Sequence, residues 1–389
     1  MDNKKKGLPV FVGVACVWMG THFGPGVASG TQVNSFYTQY GLFGVGCSIL
    51  AMCLLGYALY CSMEFSRLYK TYDYKAWGST LTGIQWIGVL YDISFIVTIF
   101  TALGGSLNAV GSLFSKLLGL NYWVGVLAVV ICTMLLCAFG SELVRRSSSY
   151  MMFVVLGILA LIVIIVLLFG EADFSGSVAN AAANLPNSGS LLTAVWNAVL
   201  YASFQATVVG NISSVADGLT KRSESKKAAI TGIAGNAIML VVLSLLLFSY
   251  TNVSGFESGS IIKEALPIYA ILDRMHFQWL TVLYVATVFV AVLSTAVGFS
   301  FGGLSRFSKI YNKTGTKSTM KNMIFIGALL LMCCFASIFG ILKLVSTGYR
   351  ILGYINLPIF ILTAIIIGRR KISKGYLKEH HVEAPGVDE

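Results

Sequence analysis

The sequence predicts an all-α protein that crosses a lipid bilayer ten times. Of its 389 residues, 56% are hydrophobic and only 11% are charged, and the mean hydropathy is +0.80. These values lie far outside the range of soluble domains. The apolar residues form runs of at least about 18, the length that a helix needs to span a membrane. No long polar block separates the runs, so residues 1–389 are predicted to form one membrane domain.

The ten predicted spans follow one another with short polar loops between them. Their approximate bounds are 8–36, 41–63, 84–111, 121–140, 149–170, 191–213, 228–250, 278–303, 322–342 and 345–368. Five spans in each half make the second half enter the membrane from the opposite side, which is typical of an inverted repeat. Repeat one then covers about 8–170, repeat two covers about 191–368, and residues 369–389 form a tail.

The basic residues predict the orientation of the chain. All but five of the 27 Lys and Arg residues fall on the side of the N terminus. Because such residues concentrate in cytoplasmic loops, both termini are expected in the cytoplasm and the protein in the cell membrane. The same distribution accounts for the net charge of +11 without a nucleic-acid partner, since no basic patch is interleaved with aromatic residues.

The first span contains an interruption, GTHFGPGVASGTQ, at Gly20–Gln32. Pro25 removes a backbone donor and clashes with the preceding turn, so the helix is expected to stop near Phe23 and a second half-helix to begin near Gly26. The carbonyl end of the first half suits a cation, and the N–H end of the second suits a carboxylate. Close helix packing at the glycines is the alternative reading.

The second half of the chain also opens with an interrupted span. The interruption is predicted at Tyr201–Gln205, within YASFQATVVGNISS, and it is the weaker signal because it contains no proline. Spans 1 and 6 are therefore both expected to be discontinuous.

Span 8 carries small and hydroxyl residues on one helical face. Ala291, Ser294 and Thr295 are spaced i, i+3, i+4. At about 1.5 Å per residue, Ser294 and Gly20 lie at a similar depth, roughly 20 Å from their basic anchors. The two hydroxyls could bind a cation or hydrogen-bond their own helix.

These features resemble the LeuT-type five-plus-five fold of the amino acid-polyamine-cation superfamily. In sodium-coupled members, two carbonyls before the first break and three residues of span 8 bind the cation. The resemblance implies that Na⁺ is bound here by the carbonyls of Gly20, Phe23 and Ala291 and the hydroxyls of Ser294 and Thr295.

Within that superfamily, the motif at Gly20–Gln32 is similar to the first span of the YkvI-like bacterial membrane proteins, G-T-x-x-G-x-G-x-A-S-G-Q. It departs from that pattern at Thr31, inserted before Gln32, and at Pro25, where a small residue is usual. The family name implies a mechanism more than a substrate.

Two ionisable residues in the spans are further candidates for the site. Asp92 in span 3 could take up a proton, pair with a substrate ammonium or accept hydrogen bonds from neighbouring helices. His22 at the break could contact substrate, titrate near neutral pH or serve packing alone. Candidates for solute binding are Thr21, His22, Gly24, Gly26, Ser29, Asp92, Ser203 and Gln205.

The predicted function is ion-coupled secondary transport of a small organic solute, such as an amino acid or related amine, by alternating access. Na⁺ is the expected coupling ion, and proton coupling through Asp92 or His22 is the alternative. The spans contain no phosphate loop, zinc-protease motif or nucleophile elbow, so neither an enzyme nor an organic cofactor is expected. A membrane sensor that binds the solute without transporting it stays open as an alternative of another class.

Overall fold

The computed structural model describes residues 8–137, 140–183, 188–311, 319–337, 347–383 and 385–386. The first half of the chain consists of α1 (Val10–His22), α2 (Pro25–Ala28), α3 (Thr31–Phe36), α4 (Gly41–Tyr69), α5 (Tyr74–Thr82), α6 (Ile87–Leu118), α7 (Tyr122–Cys137) and α8 (Ser141–Phe169).

The second half repeats the alternation of long and short helices. It consists of α9 (Phe174–Ala183), α10 (Ser188–Gln205), α11 (Val208–Val215), α12 (Arg222–Phe248), α13 (Pro267–Met275), α14 (Gln278–Tyr311) and α15 (Thr319–Ala336). The last membrane helix, α16 (Tyr349–Lys371), leads into a short tail helix at Lys374–Glu379.

The helices confirm a multi-pass membrane architecture. In the described ranges, seven helical segments are long and apolar enough to cross a membrane. The pair Ser190–Gln205 and Val208–Gly218, bent by 46°, has the same length and composition as one broken span or a re-entrant loop. The shorter apolar helices α1 and α7 occupy predicted spans 1 and 4. The count of ten and the inverted repeat remain predictions, because the end of predicted span 9 and the start of predicted span 10 lie outside the described residues.

The first span is broken at the predicted place. Helix α1 ends at His22, where the Phe23 N–H donates to the Met19 carbonyl at 2.7 Å. Gly24 is extended, and Pro25 then begins α2 at the position where a missing N–H and a fixed φ are best tolerated. Gly30 has φ +85°, a left-handed conformation that glycine adopts without strain, and separates α2 from α3.

The break in the sixth span lies slightly beyond its predicted position. Helix α10 continues to Gln205, Ala206 and Thr207 form a turn, and α11 begins at Val208. Both broken spans lie in the interior: α1 packs against α8, α12 and α14, and α11 packs against α1 and α14. The two breaks and the middle of α14 therefore meet at the centre of the molecule.

Candidate functional site

The end of α1 meets α14 through neutral oxygen atoms. Thr295 donates its hydroxyl to the carbonyl of Gly20 at 2.9 Å. The hydroxyl of Ser294 is buried beside Gly20 without a protein partner, and a Cβ built on Gly20 would lie 1.9 Å from that oxygen. Gly20, Ser294 and Thr295, here called the ion cluster, thus come together only because residue 20 has no side chain.

The other two predicted cation ligands lie beside the ion cluster. Phe23 caps α1 three residues after Gly20, and Ala291 lies one helical turn before Thr295; both are fully buried. Carbonyl and hydroxyl oxygens suit a hard cation such as Na⁺. In the described part of the chain, no group of three or more His, Cys, Asp or Glu side chains could bind a metal ion.

A small cavity adjoins the ion cluster, with about 20 Å³ in which the centre of a water molecule fits. Its lining residues come from both broken spans and from α6, α14 and α16: Thr21, His22, Gly24, Pro25, Gln32, Thr98, Ala102, Ser106, Phe204, Gln205, Thr295, Phe299 and Tyr349. None of these described lining residues is an Asp, Glu, Lys or Arg. Thr295 belongs both to the cavity wall and to the ion cluster.

The contribution of α6 to the cavity is absent from the sequence prediction. Thr98, Ala102 and Ser106 line it at a spacing of four, which places them on one helical face. The hydroxyls of Thr98 and Ser106 bond the carbonyls four residues earlier in their own helix, at 2.9 Å and 2.7 Å. The row of small residues in span 3 is a sequence signal that could have found this wall.

His22 is buried at the break, and both of its ring nitrogens have protein partners. Nδ1 lies 2.7 Å from Oδ1 of Asn236, and Nε2 lies 2.8 Å from the hydroxyl of Tyr201. Asn236 in turn donates to the carbonyl of Gly232 at 2.9 Å, which orients its amide. The side chain of His22 therefore ties the end of α1 to α10 and α12.

No protein-family model matches the chain. It is 23% identical over 350 residues to the "Uncharacterized membrane protein YkvI" of Bacillus subtilis (strain 168), covering 88% of this chain and 92% of that protein. This similarity confirms the resemblance predicted from the motif at Gly20–Gln32.

Two solved structures share the architecture over most of their length. One is a Na⁺-coupled sialic acid symporter in a substrate-bound outward-open state (TM-score 0.64, 16% identity, 92% of this chain and 79% of that chain). The other is MhsT in complex with L-phenylalanine (TM-score 0.63, 14% identity, covering 93% of this chain and 96% of that chain). The chain has the LeuT fold.

Three predicted solute-binding residues, Gly26, Ser29 and Ser203, are not among the residues that line the cavity. The carbonyl of Ser29 accepts the N–H of Ile268 at 3.0 Å, and Gly26 packs directly against the side chain of Gln32. Ser203 donates to the carbonyl of Val199, one turn earlier in α10, at 2.6 Å. Of the predicted solute ligands, the cavity brings together Thr21, His22, Gly24 and Gln205.

The N–H groups after the first break are mostly occupied, contrary to expectation. Val27 and Ala28 both donate to the carbonyl of Gly24, at 3.1 Å and 2.9 Å, and Ser29 donates to Pro25 at 2.8 Å. These are the ordinary i→i−3 and i→i−4 bonds of the single helical turn that forms α2. The predicted carboxylate site can therefore use the N–H of Gly26 but not those of the residues that follow.

Asp92 is not part of the cavity either. Its two carboxylate oxygens accept from Nε and Nη2 of Arg306, both at 2.8 Å. This bidentate ion pair joins the start of α6 to the far end of α14, and the side chains are 19% and 11% exposed. Sequence reasoning singled out the acid but not its partner, because the two residues are 214 positions apart.

The cavity is covered on one side of the membrane by the segment before α13. The hydroxyl of Thr31 donates to the Ala265 carbonyl at 2.6 Å, and the amide of Asn34 donates to the Ile261 carbonyl at 2.7 Å. This segment contains a short 3₁₀ turn at Ile261–Lys263, which is followed by α13. We call this side of the membrane the lid side.

Aromatic rings and Arg350 close the same side beneath that cover. The rings of Phe204 and Tyr349 stack with centroids 4.4 Å apart, and the rings of Phe36 and Tyr201 lie 5.1 Å apart. Arg350 lies 5.8 Å above the Phe36 ring and donates to the Ser35 carbonyl at 3.3 Å. An aromatic layer thus separates the cavity from the lid side.

Arg145 closes the opposite side. Its guanidinium donates to Asp217 at 2.7 Å and to the Val215 carbonyl at 3.1 Å. These contacts attach the start of α8 to the end of α11, and the Arg145 side chain also lies against Gly13 of α1. We call this side, to which the C-terminal tail belongs, the tail side.

Proposed function

We propose that this chain is a Na⁺-coupled secondary transporter of a small organic solute and works by alternating access. The observation that carries the proposal is the double role of Thr295, which lies in the ion cluster and in the wall of the cavity. An ion bound by Gly20, Ser294 and Thr295 would fix the broken end of α1 against α14. It would thereby shape one wall of the solute cavity, which is how the two binding events become linked.

Two further observations support Na⁺ as the coupling ion. The buried hydroxyl of Ser294 has no protein partner and lies beside Gly20, whose carbonyl accepts from Thr295, so its oxygen is available to a cation at that point. The similar symporter of sialic acid is described as Na⁺-coupled. The proton-coupled alternative is less well supported, because Asp92 is held by Arg306 and both nitrogens of His22 are engaged.

The cavity favours an uncharged or zwitterionic solute, such as an amino acid. Its described lining contains hydroxyls, amides and aromatic rings but no Asp, Glu, Lys or Arg, and an uncompensated charge buried there would cost several kcal/mol. The sealed lid side and tail side fit alternating access, since one seal has to open at a time.

The first test is to measure the melting temperature of the detergent-purified protein and to compare its values in NaCl and in KCl at equal ionic strength. We expect Na⁺ to raise the melting temperature of the wild type but not that of Ser294→Ala/Thr295→Ala, because a ligand that binds the native state stabilises it. The matched control is Thr287→Ala, also on α14, whose buried hydroxyl bonds only its own helix at 2.8 Å; it should keep the Na⁺ effect. Equal melting temperatures of the wild type in the two salts would refute Na⁺ coupling.

Uptake into proteoliposomes separates transport from sensing. A panel of amino acids and amines is added outside vesicles that carry either an inward Na⁺ gradient or an inward proton gradient. We expect accumulation driven by Na⁺ and lost in Ser294→Ala/Thr295→Ala. Solute binding without flux would instead identify a sensor, and accumulation driven only by protons would move the coupling site to Asp92 or His22.

A further inference from the structure

The tail-side ends of α4 and α12 are joined by a buried acid that the sequence analysis does not single out. Glu64 is fully buried. Its Oε1 accepts from Arg67 at 2.7 Å and from Arg222 at 3.0 Å, and its Oε2 accepts from Arg67 at 2.9 Å and from Ser225 at 3.0 Å. With four donors, the carboxylate is saturated. Glu64, Arg67 and Arg222 are called the arginine clamp below.

The arginine clamp has donors left over, and the C-terminal tail uses them. Nη1 of Arg67 donates to the Pro385 carbonyl at 2.5 Å, and the backbone N–H of Arg222 donates to the Gly386 carbonyl at 2.9 Å. Nη2 of Arg222 donates to the carbonyl of Ile372. Two arginines facing one carboxylate leave one excess positive charge, and the tail supplies carbonyl dipoles for it.

Apolar contacts hold the tail in the same place. Ile372 and Leu377 are 5% and 4% exposed, although the tail helix that carries Leu377 is otherwise mostly open to solvent. Lys371 makes two further bonds: its carbonyl accepts from the Tyr69 hydroxyl at 3.2 Å, and its side-chain ammonium donates to the Thr80 carbonyl at 2.9 Å. The tail therefore connects α16 and α5 to the ends of α4 and α12.

We propose that the tail is a latch: docked on the arginine clamp, it keeps the tail side of the cavity closed, and it must release before that side opens. The inference deepens the proposed function, since it concerns access to the same cavity. Backbone carbonyls of the tail connect α16 to the arginine clamp. They accept hydrogen bonds from Arg67 and Arg222, whose side chains are only 4% and 12% exposed. Movement of α4 and α12 relative to α16 would break these bonds.

The test follows the opening of the tail side without measuring uptake. A protein that retains Cys16 and has its other seven cysteines replaced by Ser is labelled with a thiol reagent. Cys16 is fully buried and lies in α1 between Gly13, against which Arg145 packs on the tail side, and Gly20 of the ion cluster. Truncation after Val382 removes the Pro385 and Gly386 carbonyls. We expect labelling about tenfold faster, since two hydrogen bonds to charged or part-buried donors are lost. The control Lys378→Gln, an exposed tail residue, should label like the full chain.

A second variant keeps the inference testable should the truncated protein fail to fold. Arg67→Lys retains the pairing with Glu64 but lacks the forked group that reaches the tail and the carboxylate together. We expect Cys16 in Arg67→Lys to be labelled faster than in the full chain but more slowly than in the truncated protein. Labelling at the wild-type rate in both proteins would overturn the latch. A failure of Na⁺ to stabilise the wild type would refute Na⁺ coupling and leave this result unaffected.

Discussion

Gly20 is the residue on whose size the ion cluster depends most directly. A methyl group there would lie 1.9 Å from the Ser294 hydroxyl and 3.1 Å from its Cβ. Gly20→Ala should therefore push α1 away from α14, lower the free energy of unfolding by about 1–3 kcal/mol and abolish the stabilisation by Na⁺. Chemical denaturation in NaCl and in KCl measures both effects.

Two further variants serve as a control and as a rescue for this prediction. Gly46→Ala, on α4, places a methyl group where nothing lies within 4 Å and should retain the Na⁺ effect. Gly20→Ala/Ser294→Ala removes the colliding oxygen, so it should recover part of the lost stability while staying insensitive to Na⁺. Our account of the ion cluster would be wrong if Gly20→Ala alone kept its full response to Na⁺.

At this scale the sequence predicts local chemistry better than long-range partners. The spacing of Ser294 and Thr295 and the glycines around Pro25 were sufficient to bring α1 and α14 together in the prediction. The partners of His22 were not predictable, because Asn236 lies 214 positions away and nothing near it marks the contact. Glu64 was missed although Arg67 lies only three residues away in the same helix, because its other partner, Arg222 at the start of α12, is 158 positions away.

At the scale of helices, the Asp92–Arg306 ion pair joins α6 to α14. Asp92→Asn would leave the nearly buried guanidinium of Arg306 without its carboxylate. Breaking a fully buried pair costs about 3–5 kcal/mol, and because these side chains are 19% and 11% exposed, we expect roughly 1–3 kcal/mol of lost stability after solvent screening. Thermal and chemical unfolding of the purified variant measure the loss.

The exposed pair Arg146–Glu142 provides the contrast. Nη2 of Arg146 lies 3.0 Å from Oε1 of Glu142, and the two side chains are 66% and 70% exposed. Arg146→Gln should therefore change the free energy of unfolding by less than about 0.5 kcal/mol. Exchanging the charges, Asp92→Arg/Arg306→Asp, should restore part of what Asp92→Asn loses. An Asp92→Asn protein as stable as the wild type, but without proton-driven uptake, would favour the coupling role that the sequence left open.

The two helix breaks differ in how well the sequence located them, and the reason is chemical. Pro25 lacks an N–H and forces the end of α1 within three residues, so the prediction at Phe23 was one residue from the observed end at His22. The sixth span has no proline, and α10 runs on to Gln205 before the turn at Ala206 and Thr207. Without a residue that forbids helix, tertiary contacts decide where the helix stops.

For the molecule as a whole, the number of crossings depends on the short helices. Helix α7 has 16 residues, which at about 1.5 Å each give roughly 24 Å, against a hydrocarbon core of about 30 Å. Helix α1 has 13 residues and reaches further only through α2 and α3. If both cross, the chain has ten spans and its termini share one side; if only one crosses, the termini lie on opposite sides.

Cysteine labelling on intact cells decides between these arrangements. In a cysteine-free background, a membrane-impermeant reagent is offered to single cysteines at Asn121, before α7, and Glu142, after it, both on the exposed surface. If α7 crosses, Asn121→Cys is labelled from outside, and Glu142→Cys only after permeabilisation. Leu8→Cys and Lys378→Cys should both behave like Glu142→Cys, because an even number of crossings returns the tail to the side of the N terminus. Opposite results at Leu8 and Lys378 would exclude ten spans and, with them, the five-plus-five repeat.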